Sequence, residues 1–190
     1  MGGSDVVTAN TKPGVTDGVP YDLGAMPVGR AMETVDERVV GADVATVFSV
    51  VAAVEEWPAH LAHYRFVRMR TRRRDGGGLV EMSANRPFGP LDWPTWWLSE
   101  MQISSDTPAI RFRHVGGITK GMEVEWRFDG LPDGTTRVRL VHAWGGPRWP
   151  IIGVFAATEI IGPVFIHGIA SRTLEGLART AERLRDRTAR

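Results

Sequence analysis

The chain has 190 residues, a net charge of +1 and no cysteine, with 43% hydrophobic and 24% charged residues. These values are typical of one globular domain and give no reason to expect a nucleic-acid partner. The lack of cysteine excludes disulfides, thiolate metal sites and cysteine nucleophiles.

Residues 1–31 are rich in Gly, Pro, Thr and Asp and show no sustained hydrophobic period. Such a segment buries too little apolar surface to offset the entropy lost on ordering. We therefore predict a disordered or loosely packed leader at 1–31, followed by a single domain at 32–188. The alternative is a short arm that packs across the domain.

Residues 1–30 lack the apolar core of a signal peptide. The longest apolar stretch, 149–170, is interrupted by Glu159 and by Gly162-Pro163. It is therefore a poor membrane span. We predict a cytoplasmic protein without stable membrane insertion.

The ordered part begins with loose alternation at 33–41, which predicts a strand. Asp43 then occupies an N-cap position before residues 44–53, whose apolar side chains recur at helical spacing. Trp57-Pro58 interrupts this helix. Because proline favours the first turn of a helix, we predict a second short helix at 59–63.

From residue 67 the hydrophobic period changes to two. Short turns separate successive alternating segments, for example Asp75-Gly-Gly-Gly78 and Pro132-Asp-Gly134. Consecutive strands joined in this way form an antiparallel meander of about six strands. The period returns to 3.6 over 151–187, with a kink or break at Gly162-Pro163. This last helix is the one element long enough to cover the apolar face of the sheet.

The element order and several local strings resemble the START-like (helix-grip) superfamily, and most closely its branch of polyketide cyclases/dehydrases and coenzyme Q-binding proteins. The strings lie at 42–48, 54–58, 63–65, 121–128 and 171–177. The resemblance implies an α+β fold, with a curved antiparallel sheet of about seven strands around a long C-terminal helix. It also implies a cavity between sheet and helix that holds a hydrophobic, often polycyclic, ligand.

Strand parity predicts which polar residues share the inner face of the sheet. His142 has the same parity as Val138 and Leu140, so it points to the same face, and His114 likewise has the parity of Phe112. The same rule places Arg86 inward, at the end of its strand. We predict Arg86, His114 and His142 as catalytic residues, because a guanidinium can steady an oxyanion and an imidazole can transfer a proton near neutral pH. The alternatives are a surface arginine, an exposed turn histidine and a histidine that hydrogen-bonds the backbone.

Aromatic and aliphatic residues on the same inner face predict the wall of a ligand cavity. The predicted ligand-binding residues are Tyr64, Trp93, Trp97, Phe112, Met122, Trp126, Trp144, Phe165 and Ile169. Each of these side chains can alternatively be an ordinary core residue. The charged residues between them are predicted to lie on an outer, solvated face: Arg111, Arg113, Glu123, Glu125, Arg127, Arg137 and Arg139.

Other polar patterns carry no further site. His60 and His63 lack zinc-type spacing, and we interpret them as residues of a surface helix without a bound metal. The arginines at 68–74 invite a nucleic-acid or membrane reading, but cross-strand pairing with glutamates such as Glu81 explains them more simply.

Two functions compete on this evidence. The first is a cofactor-independent polyketide aromatase/cyclase or dehydratase, in which the cavity folds the substrate and excludes water. The second is a carrier, sensor or sequestering protein for a lipid, quinone or natural product. A weaker third reading is an interaction module with a collapsed cavity. The sequence predicts a hydrophobic small molecule as partner, and either a monomer or a homodimer.

Overall fold

The computed structural model describes residues 15–16, 21–88, 91–146 and 167–188, with side chains at 21–85, 94–146 and 168–188. Within these residues, eight strands form one sheet. They are β1 (Val15–Thr16), β2 (Met32–Val40), β3 (Tyr64–Arg73), β4 (Gly78–Phe88), β5 (Leu91–Ser104), β6 (Ala109–Gly117), β7 (Glu123–Gly130) and β8 (Thr136–Trp144).

Strands β3 to β8 form the predicted antiparallel meander, in which each strand pairs with the next along the chain. β2 closes the sheet at one edge by pairing antiparallel with β8, from Met32 opposite Trp144 to Val40 opposite Thr136. The short β1 runs parallel to β3 at the other edge. Seven antiparallel strands and a C-terminal helix confirm the predicted helix-grip fold.

Among the described residues, the helices are α1 (Val44–Ala52), a 3-10 turn (Val54–Glu56), α2 (Trp57–His60) and α3 (His167–Thr188). Asp43 caps α1 as predicted, because its carboxylate accepts a hydrogen bond from the Thr46 backbone N–H at 3.0 Å. The short helix α2 begins earlier than the predicted 59–63. It also ends at His60, so His63 lies in the turn before β3 and not on a helix. The predicted kink at residues 162–163 lies outside the described residues.

The core lies between the inner face of the sheet and α3. Val138 and Leu140 of β8 point into it, and Leu177 and Ala181 of α3 meet them from the other side. At Gly176 the helix comes very near α2, since a Cβ there would lie 2.2 Å from Leu61 Cδ2. A glycine at this position therefore sets how closely α3 approaches the wall of the domain.

Contrary to the prediction, the outer face of β6 and β7 is not exposed to solvent. Arg111, Glu123 and Glu125 are all less than 9% exposed, and Arg111 pairs with Glu123 at 2.9 Å. Residues 21–27 of the leader lie against this face, where the carbonyls of Leu23 and Gly24 accept hydrogen bonds from Arg113 and Arg111.

This segment has further anchors on the sheet. Leu23 is 3% exposed, and its N–H donates to Gln102 Oε1 at 2.9 Å. The Tyr21 ring lies 4.1 Å from the guanidinium of Arg73. Residues 21–27 thus lie as an arm across the outer face of the sheet. We call this segment the N-terminal arm.

The arginines of β3 have partners on the same surface. Arg70 forms an ion pair with Glu81, as the pairing interpretation predicts. Arg72 pairs with Glu55 of the 3-10 turn at 2.5 Å, and Arg68 lies over the Phe66 ring. Two of these positive charges are therefore paired with carboxylates of the protein.

None of the helices among the described residues is long and apolar enough to cross a membrane.

Candidate functional site

A cavity lies between the inner face of β3–β8 and the first turns of α3. The residues of its wall that the structure describes comprise five aromatic side chains, six aliphatic or thioether side chains and four polar ones. The lining residues are Trp57, Tyr64, Met82, Trp97, Phe112, His114, Thr119, Met122, Val124, Trp126, Leu140, His142, Ile169, Ala170 and Thr173.

The cavity is narrow. Its volume is about 70 Å³, within about 570 Å³ of atom-free space that continues into open solvent. A dry cavity of about 150 Å³ admits a benzene ring. The enclosed part is therefore too small for a polycyclic molecule, and such a ligand would have to displace side chains or extend toward the opening.

Aromatic rings form a continuous row along the wall. Tyr64 lies 5.4 Å from Trp57 and 6.1 Å from Trp97, between ring centroids, in edge-to-face geometry. Trp97 in turn stacks on the His114 imidazole at 6.0 Å and 21°. Trp57 also contacts Trp126 at 6.1 Å. These contacts hold the rings in place, so their faces and edges form a rigid apolar surface.

His114 is oriented by the loop between β6 and β7. Its Nδ1 lies 2.6 Å from Thr119 Oγ1, and its backbone pairs with Met122 and Gly121. Gly117 and Gly121 have φ values of 86° and 88°, which glycine adopts without strain. This geometry turns the loop back, so Thr119 is only 2% exposed although it lies in a loop.

His142 enters the cavity from the opposite side of β7. It pairs with Val124 of β7 and with Thr34 of β2. Because neighbouring strands lie about 4.8 Å apart, β6 and β8 place the backbones of His114 and His142 roughly 10 Å from each other. Both imidazoles line the ligand space.

A third histidine stands behind the wall. His63 Nε2 lies 3.0 Å from Thr173 Oγ1, and the His63 ring lies 4.9 Å from the Tyr64 ring. Burial, and secondarily the charge of Arg172, lower the pKa of His63 from its usual 6.5. His63 is therefore neutral at pH 7.

The cavity brings together eight of the predicted site residues. They are Tyr64, Trp97, Phe112, His114, Met122, Trp126, His142 and Ile169. Trp144 is 1% exposed but is not among the lining residues, since its indole N–H donates to the Lys120 carbonyl at 3.1 Å. The side chains of Arg86, Trp93 and Phe165 lie outside the described residues.

Sequence reasoning missed Trp57, Thr119 and Thr173. Trp57 precedes Pro58 in a helix of one turn, and Thr119 lies in a loop, so neither belongs to a periodic pattern. Thr173 follows the helical period of α3, which could have indicated that it shares a face with Ile169 and Ala170.

Among the described residues, no three Asp, Glu or His side chains lie close enough together to hold a metal ion. The described part of the cavity wall offers two imidazoles, two threonine hydroxyls and one phenol as polar groups. This arrangement suits an apolar ligand that makes a few hydrogen bonds.

The sheet, the C-terminal helix and the cavity between them define a START-like, helix-grip protein. Among solved structures, the chain is similar to the Zhui aromatase/cyclase from Streptomyces sp. R1128, with 17% identity and a TM-score of 0.69 over 80% of this chain and 93% of that one. It is similar to a START superfamily protein from Mycobacterium smegmatis, with 13% identity and a TM-score of 0.65 over 80% and 99%.

A two-domain ARO/CYC protein, StfQ of the steffimycin biosynthetic pathway, matches with 18% identity and a TM-score of 0.61 over 82% of this chain and 46% of that one. At such identities the likeness shows the fold alone. No curated protein matches the sequence significantly. Residues 40–158 match the family model described as polyketide cyclase / dehydrase and lipid transport, and the chain belongs to this family.

Proposed function

We propose that the protein binds a hydrophobic, polyketide-like small molecule in the cavity between sheet and α3. The observation that carries this proposal is the row of Trp57, Tyr64 and Trp97, which borders unfilled space. An aromatic wall with few polar groups is typical of sites for ring-containing ligands. A polycyclic ligand would occupy the cavity and the adjoining open space together.

Binding is tested with the full chain by equilibrium dialysis against naphthalene, and by native mass spectrometry of freshly purified protein for a bound small molecule. Ile169→Trp adds bulk at the cavity wall and is expected to weaken naphthalene binding at least about tenfold. Leu184→Trp is the matched control, because Leu184 lies on the same helix, is 40% exposed and does not line the cavity. Equal binding by both variants would contradict the proposal.

A second candidate function is cyclisation or dehydration of a bound polyketide chain. The specific observation in its favour is that His114 and His142 flank the same cavity, with Thr119 within hydrogen-bond distance of His114. A neutral imidazole can take a proton from a carbon next to a carbonyl. The resulting enolate carbon then attacks a second carbonyl of the chain, and the alkoxide formed receives a proton before water is lost.

Arg86 is the proposed partner for the oxyanion in this reaction. His114→Gln, His142→Gln and Arg86→Met are each expected to lower the rate of ring formation from a poly-β-carbonyl substrate by about a hundredfold or more. The readout is the cyclised product by mass spectrometry. A substrate that binds but is not converted by the wild type would favour the carrier or sequestering function.

A further inference from the structure

The contact between His63 and Thr173 connects the outside of the cavity wall to its inside. Thr173 lines the cavity from α3 and is 2% exposed. His63 is half-buried in the turn before β3 and is not among the lining residues. The imidazole therefore reaches the hydroxyl from behind, while the threonine side chain borders the ligand space.

The hydroxyl of Thr173 is used differently from that of Thr180 on the same helix. Thr180 Oγ1 donates to the Gly176 carbonyl at 2.9 Å, which is the usual way for a buried helical threonine to satisfy its hydroxyl. Among the described residues, the one hydrogen bond of Thr173 Oγ1 is to His63. Since a hydroxyl offers one donor and two acceptor sites, the contact with His63 leaves the Thr173 hydroxyl with unused hydrogen-bonding capacity.

We propose that Thr173 determines which polar group of a ligand the cavity accepts, and that His63 is the positioning residue that sets the direction of the Thr173 hydroxyl. This inference rests on the proposed binding function. It adds a substrate property, namely a hydroxyl or enol group directed at α3 and not a carbonyl.

The direction follows from the protonation state and the tautomer of His63, and the proposal assigns to the neutral ring the tautomer that is protonated on Nδ1. In the neutral ring with Nε2 unprotonated, Nε2 accepts the Thr173 hydroxyl proton, and the threonine oxygen can then only accept from the ligand. When His63 is protonated, Nε2–H donates to Thr173, whose own proton becomes available for a ligand carbonyl. The titratable side chains of the elements around His63 are Arg172 on α3, Tyr64 on β3 and His60 on α2.

The test compares three probes of equal ring size: naphthalene, 2-naphthol and 2-acetylnaphthalene, measured by equilibrium dialysis with the full chain. At pH 7.5, Thr173→Val is expected to weaken 2-naphthol binding about three- to tenfold more than it weakens naphthalene binding, which is the worth of one neutral hydrogen bond. Thr173→Ser keeps the hydroxyl and should keep the affinity. Thr180→Val is the matched control and should leave all three affinities unchanged.

The positioning role has its own readout. As the pH falls from 7.5 through the lowered pKa of His63, the preference of the wild type should move from 2-naphthol toward 2-acetylnaphthalene, and His63→Gln should abolish this movement. Equal weakening of all probes by Thr173→Val, or no weakening of any, overturns the inference while leaving the binding function intact. If the wild type binds none of the probes, the binding function falls together with the inference.

Discussion

Replacing Gly176 by alanine is expected to destabilise the protein, although alanine is the better helix former. The added Cβ would lie 2.2 Å from Leu61 Cδ2, roughly 1.3 Å inside a normal carbon–carbon contact of about 3.5 Å. Leu61 is 2% exposed, so its side chain can yield only by displacing other buried atoms.

The magnitude is a balance of two terms. Alanine in a helix interior gains about 1 kcal/mol over glycine. One extra methyl group in a packed core costs about 1–3 kcal/mol. We expect Gly176→Ala to lower the free energy of unfolding by about 1 kcal/mol and Tm by about 2–4 °C. Urea denaturation and calorimetry measure both quantities.

Two further variants make the test specific to this contact. Gly168 lies on the same helix, and no described atom lies within 4 Å of a Cβ built there. Gly168→Ala should therefore stabilise the protein by about 0.5–1 kcal/mol. Leu61→Ala should cost less in the Gly176→Ala background than in the wild type, because the new methyl group fills part of the vacated space. A Gly176→Ala protein at least as stable as the wild type would refute the reasoning.

Three other outcomes are expected. Arg111→Met should lower the free energy of unfolding by about 2–3 kcal/mol in urea denaturation, because two buried glutamates lose a partner although each keeps one other arginine. The same variant should be cleaved faster by proteases within residues 21–31. An unchanged cleavage rate would mean that the N-terminal arm is held by other contacts. Asp43→Ala should cost about 1 kcal/mol at pH 7; because hydrogen bonds from Thr46 lower the pKa of Asp43 in the folded state, this difference should shrink as the pH falls below about 3.8, and a pH-independent difference would contradict it. Because the pKa of His63 is lowered in the folded state, the imidazole takes up a proton more readily in the unfolded chain, and the free energy of unfolding should decline as the pH falls below about 6.5. The decline should be weaker in His63→Gln, and urea titrations at pH 7.5 and 5.5 can measure the difference.

The inner face of the sheet could be predicted from sequence because its signal is local. On β8, Val138 and Leu140 are buried and Arg137 and Arg139 are not, as alternation requires. Alternation shows which side chains point away from the core, but not what covers that side. Arg111 was therefore placed in solvent, whereas the N-terminal arm, which carries no hydrophobic period, lies over it.

The candidate site was predictable in part for the same reason. Parity places His114 and His142 on the face that lines the cavity. Parity also places Trp144 on that face, but it says nothing about how far the cavity extends along a strand, and Trp144 instead contacts the loop at Lys120. Thr119 reaches the cavity because Gly117 and Gly121, on either side of it in the loop, both adopt positive φ angles. No spacing rule predicts this arrangement from the sequence.

The pairing of β2 with β8 has a consequence for how the protein is made. β2 is complete at Val40, but its partner strand begins only at Thr136, about a hundred residues later. During synthesis on a ribosome, the meander from β3 onward can form hairpin by hairpin, while the backbone N–H and C=O groups of β2 still lack their partner strand. Chaperone binding should therefore persist until the last strand emerges. Nascent chains halted before Thr136 should expose Met32–Val40 as an unpaired, aggregation-prone strand.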